Sequence, residues 1–268
     1  MNQPHAQFLT VDANPATGAP ARRIAYLRQE PAQPGGLELV WLIGLKSDMI
    51  STKAAALAAH CVAKGYGLTR FEYSGHGRSE GDFEQATLGD WLQETRAVFH
   101  RLTRGPQLVL GSSTGGHLAL LLLRDLMATA PAEAARIKGL LLIAPAWDLT
   151  EDLMWAKFDE EARREIMETG VYRRPSAYGD PYAITRKFIE EGRNHLFARQ
   201  PWNPGRAIEI IHGRLDPDVP FAHSETLKGF LKGGWTNVTE VPDGEHRLSR
   251  PEDLALMLAT VDRLARQG

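Results

Sequence analysis

The sequence predicts an α/β protein, a mostly parallel sheet with helices on both faces. Three observations carry that expectation. Strand-length runs such as LVWLI at 39–43 and KGLLLIA at 138–144 are apolar nearly throughout, as strands covered on both sides are. Segments of helix length and helix-forming composition stand between these runs. Turns rich in Gly and Ser, such as SGHGRSEG at 74–81, mark the joins.

Taken in order, short strands are expected at 7–11 and 22–28, around the Pro/Gly turn DANPATGAP. The run at 39–43 is the third strand. A helix follows over 53–64, with Ser51 or Thr52 as its cap and Gly65 as its stop. A strand at 68–73, a helix at 87–101 and a strand at 107–112 come next, then a leucine-rich helix from 117 to 127. The sixth strand is 138–144. Further strands are expected at 206–212 and 236–241, with a helix at 222–231 between them and an amphipathic helix at 253–265 closing the chain. Residues 147–202 break this rhythm, showing no clear strand but holding nine of the 21 aromatic residues. Helical stretches at 151–169 and 181–198 then form a small helical cap, inserted after the sixth strand above the sheet edge where open α/β sheets bind ligands. The expected organisation is a core of 1–146 and 203–268, with 147–202 as a cap forming one structural unit with it.

Composition narrows the function. With 43% apolar and 24% charged residues in 268, the chain has enough apolar material for a substantial core. A net charge of −2 and no basic run longer than two residues argue against a nucleic-acid partner. The lone Cys61 excludes an internal disulfide and reads as a buried helical thiol. The first residues, MNQPHAQFLT, lack a signal-peptide pattern, and no run is long enough to span a bilayer. A cytoplasmic protein without stable membrane insertion is expected.

The chemistry starts at VLGSSTGGHLAL, residues 109–120, where a strand turns directly into a helix at Ser113. Such a corner forces its middle residue to positive φ and brings strand and helix so close that only glycine fits two positions either side, at Gly111 and Gly115. It lifts a serine hydroxyl out of the sheet beside a helix N-terminus, a nucleophile's setting. An ordinary Gly/Ser turn opening a helix is the alternative. The nucleophile reading requires an acid and then a histidine, each in a loop after a strand. RLDPDVP places Asp216 three residues beyond the strand ending at Gly213, and PDGEHRLSRP places His246 before the last helix. Asp148 follows another strand end and is a rival for the acid, whereas Asp218 reads as a solvated or loop-bonding carboxylate. His212, His117, His223 and His195 fall in strand or helix sequence and read as core or surface imidazoles; His60, His76 and His100 gain nothing from position.

Two backbone amides are expected to hold the oxyanion: Thr114, just past the serine, and Leu45, in the loop after LVWLIG. No His-Gly-Gly-Gly run is present. SGHGRSEG lacks the lysine and spacing of a phosphate loop and reads as a tight turn near the same edge. No metal-ligand spacing is visible. Trp147, Trp155, Phe158, Tyr172 and Tyr178 either line an apolar acyl pocket or form the cap's own small core. Arg163 or Arg173 would meet a substrate carboxylate, or else lie on a solvated helix face.

Together the elbow at Gly111–Gly115, Asp216 with Val219-Pro220, and His246 resemble the α/β-hydrolase superfamily over nearly the whole chain. GLKSDMISTKA, TRFEYSGHGRSEG, LVLGSSTGG, APAWDLTEDLMW and DGEHRLSRPED resemble one branch, which holds a mitochondrial palmitoyl-protein thioesterase that also cleaves acyl glucuronides, with its bacterial relatives. The resemblance implies a small-molecule or acylated-protein ester or thioester as substrate, and no cofactor. A peptidase, a C–C bond hydrolase or a non-catalytic receptor on the same fold are the other readings. Two positions depart from the pattern: Thr114 stands where Met is expected and Glu72 where Asp is expected. The first alters the wall beside the nucleophile and puts substrate choice in doubt.

Overall fold

The computed structural model of the chain describes residues 5–176, 179–197 and 199–267. Eight strands form one sheet: β1 (Gln7–Val11), β2 (Arg22–Gln29), β3 (Glu38–Leu42), β4 (Gly67–Phe71), β5 (Gln107–Ser112), β6 (Ile137–Ile143), β9 (Ala207–Gly213) and β10 (Thr236–Val241). Their order across the sheet is β1-β2-β4-β3-β5-β6-β9-β10. β1 and β2 run antiparallel to their neighbours and the other pairs are parallel. β3, β5 and β6 lie at the centre, with β3 and β5 buried along their whole length, which explains their near-uniform apolar sequence.

Helices cover both faces. α1 (Thr52–Lys64) packs with α8 (Pro251–Gln267), and α2 (Leu88–Leu102) packs with α3 (Thr114–Thr129). The short α4 (Pro131–Ala134) leads into β6, and α7 (Phe221–Phe230) covers β9 and β10. Boundaries follow local chemistry. Thr87 and Asp90 form a reciprocal capping box at the start of α2, and Gly65 ends α1 in the left-handed conformation. Cys61 is fully buried in α1, where burial pushes its thiol up to about 12.

The segment between β6 and β9 corrects one expectation. The expected helical stretches are shorter: 151–169 is divided among a π-turn at Leu149–Met154, a 3-10 turn at Trp155–Lys157 and α5 (Glu160–Thr169). An antiparallel hairpin of β7 (Val171–Ser176) and β8 (Gly179–Thr185) follows, then α6 (Arg186–Gly192) and a 3-10 turn at Arg193–His195. Asp159 splits the expected first helix, because its side chain accepts the Ala162 amide at 2.8 Å and starts α5 afresh. Gly170, at φ +86°, stops α5 before a β-branched and aromatic stretch, so Val171 and Tyr172 pair with Thr185 and Ile184. Thr185 then caps α6 through the Phe188 amide.

Candidate active site

Ser113 occupies the corner between β5 and α3 at φ 55°, ψ −118°. That conformation costs a non-glycine residue roughly 1–3 kcal/mol, so the surroundings must enforce it. Three backbone bonds do so: the Ser113 amide donates to the Ile143 carbonyl at 2.8 Å, and the Ser113 carbonyl accepts from Gly116 and Ala146 at 2.9 and 3.0 Å. A Cβ at Gly111 would stand 2.2 Å from the Gly115 carbonyl oxygen, and one at Gly115 would stand 2.2 Å from that of Leu42. Both positions therefore admit only glycine.

The loops after β9 and β10 meet across the same edge, knit by the Leu215 amide on the Gly244 carbonyl at 2.9 Å. They bring Asp216 and His246 together. His246 Nδ1 lies 2.7 Å from Asp216 Oδ2, and its Nε2 lies 3.1 Å from Ser113 Oγ. Asp216 Oδ1 accepts the Asp218 and Val219 amides at 2.9 and 2.8 Å. Burial would raise the carboxyl pKa, but hydrogen bonds from His212 and His246, the charge of His246 and the Val219 amide outweigh it and hold Asp216 well below the usual carboxylate range. The carboxylate is ionised and aimed at the imidazole.

The rivals lie elsewhere. Asp148 faces the cap, accepting the Phe197 amide at 2.7 Å with His117 Nε2 3.7 Å away. Burial pushes its carboxyl up to about 6. His117 donates to the His195 carbonyl at 3.2 Å, and burial pushes it down to about 3. His223 Nε2 contacts the Trp147 carbonyl at 2.8 Å.

His212 stands near the end of β9, and nothing in the sequence shows its role. Fully buried, its Nε2 faces Asp216 Oδ2 at 3.1 Å and the Val219 carbonyl at 2.9 Å, both acceptors, so this nitrogen carries the proton. Nδ1 takes the Ser224 hydroxyl at 2.6 Å.

A cavity of about 710 Å³ opens over Ser113. Ala146, Leu149, Leu153, Met154 and Val219 give it an apolar wall, while Lys53, Ser47, Ser51 and Ser249 give a polar one. Leu45 and Thr114 both line it. Thr114 opens α3, so its amide belongs to the first turn, which has no acceptor within the helix. Its hydroxyl is buried without a partner among the described residues.

The cap aromatics correct a second expectation. Trp147, Trp155, Phe158 and Tyr172 do not line this cavity; among the described residues its aromatic members are Trp41 and Tyr182. Trp147 is fully buried, stacked on His223 at 4.5 Å and donating to its carbonyl. Trp155 lies under Arg163 and Arg193, and Phe158 packs edge-on to Tyr172 at 5.3 Å. Tyr178 lies outside the described residues. Arg163 donates to the Trp155 and Ala156 carbonyls and Arg173 pairs with Glu84, so neither faces the cavity; Arg174 does. Glu72 anchors the turn after β4, accepting the Arg78 amide at 2.7 Å and the Met49 amide at 3.2 Å.

Comparison with known proteins shows what the chain resembles. A family profile described as "Serine aminopeptidase, S33" matches residues 48–187. The human protein named palmitoyl-protein thioesterase ABHD10, mitochondrial, is 30% identical over 246 residues, covering 90% of this chain and 76% of that one. A solved protein of Agrobacterium vitis S4 superposes with a TM-score of 0.92 at 35% identity, covering 98% of this chain and 100% of its own. The mouse alpha/beta hydrolase domain-containing protein 10 superposes at 0.82 with 26% identity, covering 97% and 98%. Among the described residues, no helix is long and apolar enough to cross a membrane.

Proposed function

The chain belongs to the α/β-hydrolase superfamily, in the family described as "Serine aminopeptidase, S33", and we propose that it hydrolyses carboxylic esters or acyl thioesters through Ser113. The observation that carries the reading is the unbroken line from Ser113 Oγ through both His246 nitrogens to Asp216 Oδ2, with steps of 3.1 and 2.7 Å. His246 Nδ1–H donates to the carboxylate, which leaves Nε2 free to take the serine proton. Ser113 Oγ attacks the acyl carbonyl, and the negative charge on its oxygen rests on the amides of Thr114 and Leu45. Collapse breaks the bond to the alcohol or thiol, which leaves with the proton from His246. Water, deprotonated by the same imidazole, then attacks the acyl-enzyme and releases a carboxylic acid and free Ser113.

The apolar wall of Leu149, Leu153, Met154 and Val219 supports an acyl chain of some length. The names of the ABHD10 relatives support a thioester among the substrates. A peptide or amide substrate is the second reading, favoured by the description of the matching family. p-Nitrophenyl esters and acyl thioesters of graded chain length, set beside aminoacyl p-nitroanilides, test the proposal. Ester or thioester turnover with inert anilides supports it, and anilide turnover that exceeds both replaces it with the peptidase reading.

A further inference from the structure

We propose that His76 positions the oxyanion-binding loop, by accepting the Lys46 amide proton and so fixing the direction of the neighbouring Leu45 amide. The inference rests on the reading of Ser113 as the nucleophile and of Leu45 as an oxyanion donor.

The loop between β3 and α1 needs an external hold. Lys46 lies at φ +56°, a region that costs a side-chain-bearing residue about 1 kcal/mol or more. Inside the loop, the Ser47 amide closes a turn on the Gly44 carbonyl at 3.1 Å. From outside, two side chains of the β4–α2 connection grip it. His76 Nε2 accepts the Lys46 amide at 3.1 Å, and Glu72 Oε1 accepts the Met49 amide at 3.2 Å. The Lys46 bond is the one next to the catalytic atoms. Leu45 and Lys46 carry consecutive amides with only the φ and ψ of Leu45 between them, so pinning the Lys46 peptide plane restricts where the Leu45 amide can point.

The imidazole is set up to be an acceptor at that nitrogen. Nδ1–H donates to the Ser74 carbonyl at 3.2 Å, which leaves the lone pair on Nε2. The ring is 3% exposed and lies edge-on to Tyr73, Phe83 and Trp91, with centroids 5.7, 5.4 and 5.1 Å away. Burial pushes its pKa down to about 4, so it stays neutral and keeps the lone pair at neutral pH. The Lys46 side chain leans on the same cluster, its ammonium 3.6 Å from the centre of the Phe83 ring. A phenyl ring would pack here but present no acceptor, and an amide would accept but not pack as a ring. Histidine does both.

The partners make a clean test possible. The Ser74 carbonyl also accepts Trp91 Nε1–H at 3.1 Å, so replacing His76 by Phe leaves it paired. The Lys46 amide is then the group left without its acceptor. With an ester that the wild type turns over, His76→Phe is expected to lower kcat by about tenfold or more, with KM held within about twofold. His76→Gln, which restores an acceptor, is expected to recover most of the loss. Affinity for a trifluoromethyl ketone, whose adduct with Ser113 carries an oxyanion, falls with kcat, while affinity for the product acid does not. Should His76→Phe fail to fold, His76→Leu beside His76→Gln makes the same comparison. An active wild type with kcat in the Phe or Leu variant within about twofold overturns this inference alone, as does a Gln variant no better than either. A wild type that neither turns over esters or thioesters nor reacts at Ser113 overturns the reading of the site, and this inference with it.

Discussion

His212 and His246 converge on a single oxygen of Asp216, with Nε2 of the first 3.1 Å and Nδ1 of the second 2.7 Å from Oδ2. The other oxygen takes two backbone amides. Four donors therefore fix one carboxylate, and only one of them is the imidazole facing Ser113. His212 acts as a strut: it leaves the acid a single rotamer, the one that orients His246.

Replacing His212 by Phe keeps a ring in the core but removes the donor and leaves the Val219 carbonyl and the Ser224 hydroxyl without this partner. The expected cost is about 2 kcal/mol of stability and about tenfold in kcat/KM, read by urea unfolding and ester turnover. The acid side of the stability profile shifts as well. A carboxyl whose folded pKa is depressed stabilises fully above its unfolded value, and that contribution disappears as pH falls through the folded one. With one donor fewer, the folded value of Asp216 rises, so His212→Phe should unfold in acid at a higher pH than the wild type.

Asp148 carries the opposite sign. Its pKa is pushed from 3.8 to about 6 by burial, so the folded chain binds this proton more tightly than the unfolded chain. Stability from this group is greatest below the unfolded value and declines as pH rises towards 6, by at most about 3 kcal/mol. Asp148→Asn retains an acceptor for the Phe197 amide and has no charge to bury. Its unfolding free energy should therefore change less than that of the wild type between pH 4 and 7, with kcat within about threefold. A kcat loss near that of Asp216→Asn would move the acid to Asp148.

The strain at Ser113 predicts a trade of stability against activity. Glycine reaches φ 55°, ψ −118° without a Cβ penalty, so Ser113→Gly should be inactive yet more stable than the wild type by about 1 kcal/mol. Thermal unfolding of the two proteins side by side checks the sign.

How far the sequence foretold the molecule depended on how local the signal was. Buried parallel strands announce themselves as apolar runs, and Gly111 and Gly115 declare the elbow because no side chain fits at either position. Asp216 and His246 were legible from their place just past two strands. The hairpin of β7 and β8 was not, because VYRRPS and GDPYAIT lack clean alternation and gain their strand character by pairing with each other. Composition leaves Trp147 open between a pocket wall and the cap's core, because its environment is made by His223, 76 positions along the chain. The roles of His212 and His76 are hidden in the sequence for the same reason. Each has its role through a partner, Asp216 or Lys46, that only the folded chain brings within reach.

Reaction with a fluorophosphonate, followed by intact-mass and peptide analysis, tests the central claim most directly. The wild type should gain one phosphonyl group on the peptide bearing Ser113, Ser113→Ala should gain none, and Asp216→Asn should react about a thousandfold or more slowly. An unlabelled wild type, or an adduct that persists in Ser113→Ala, would contradict the account.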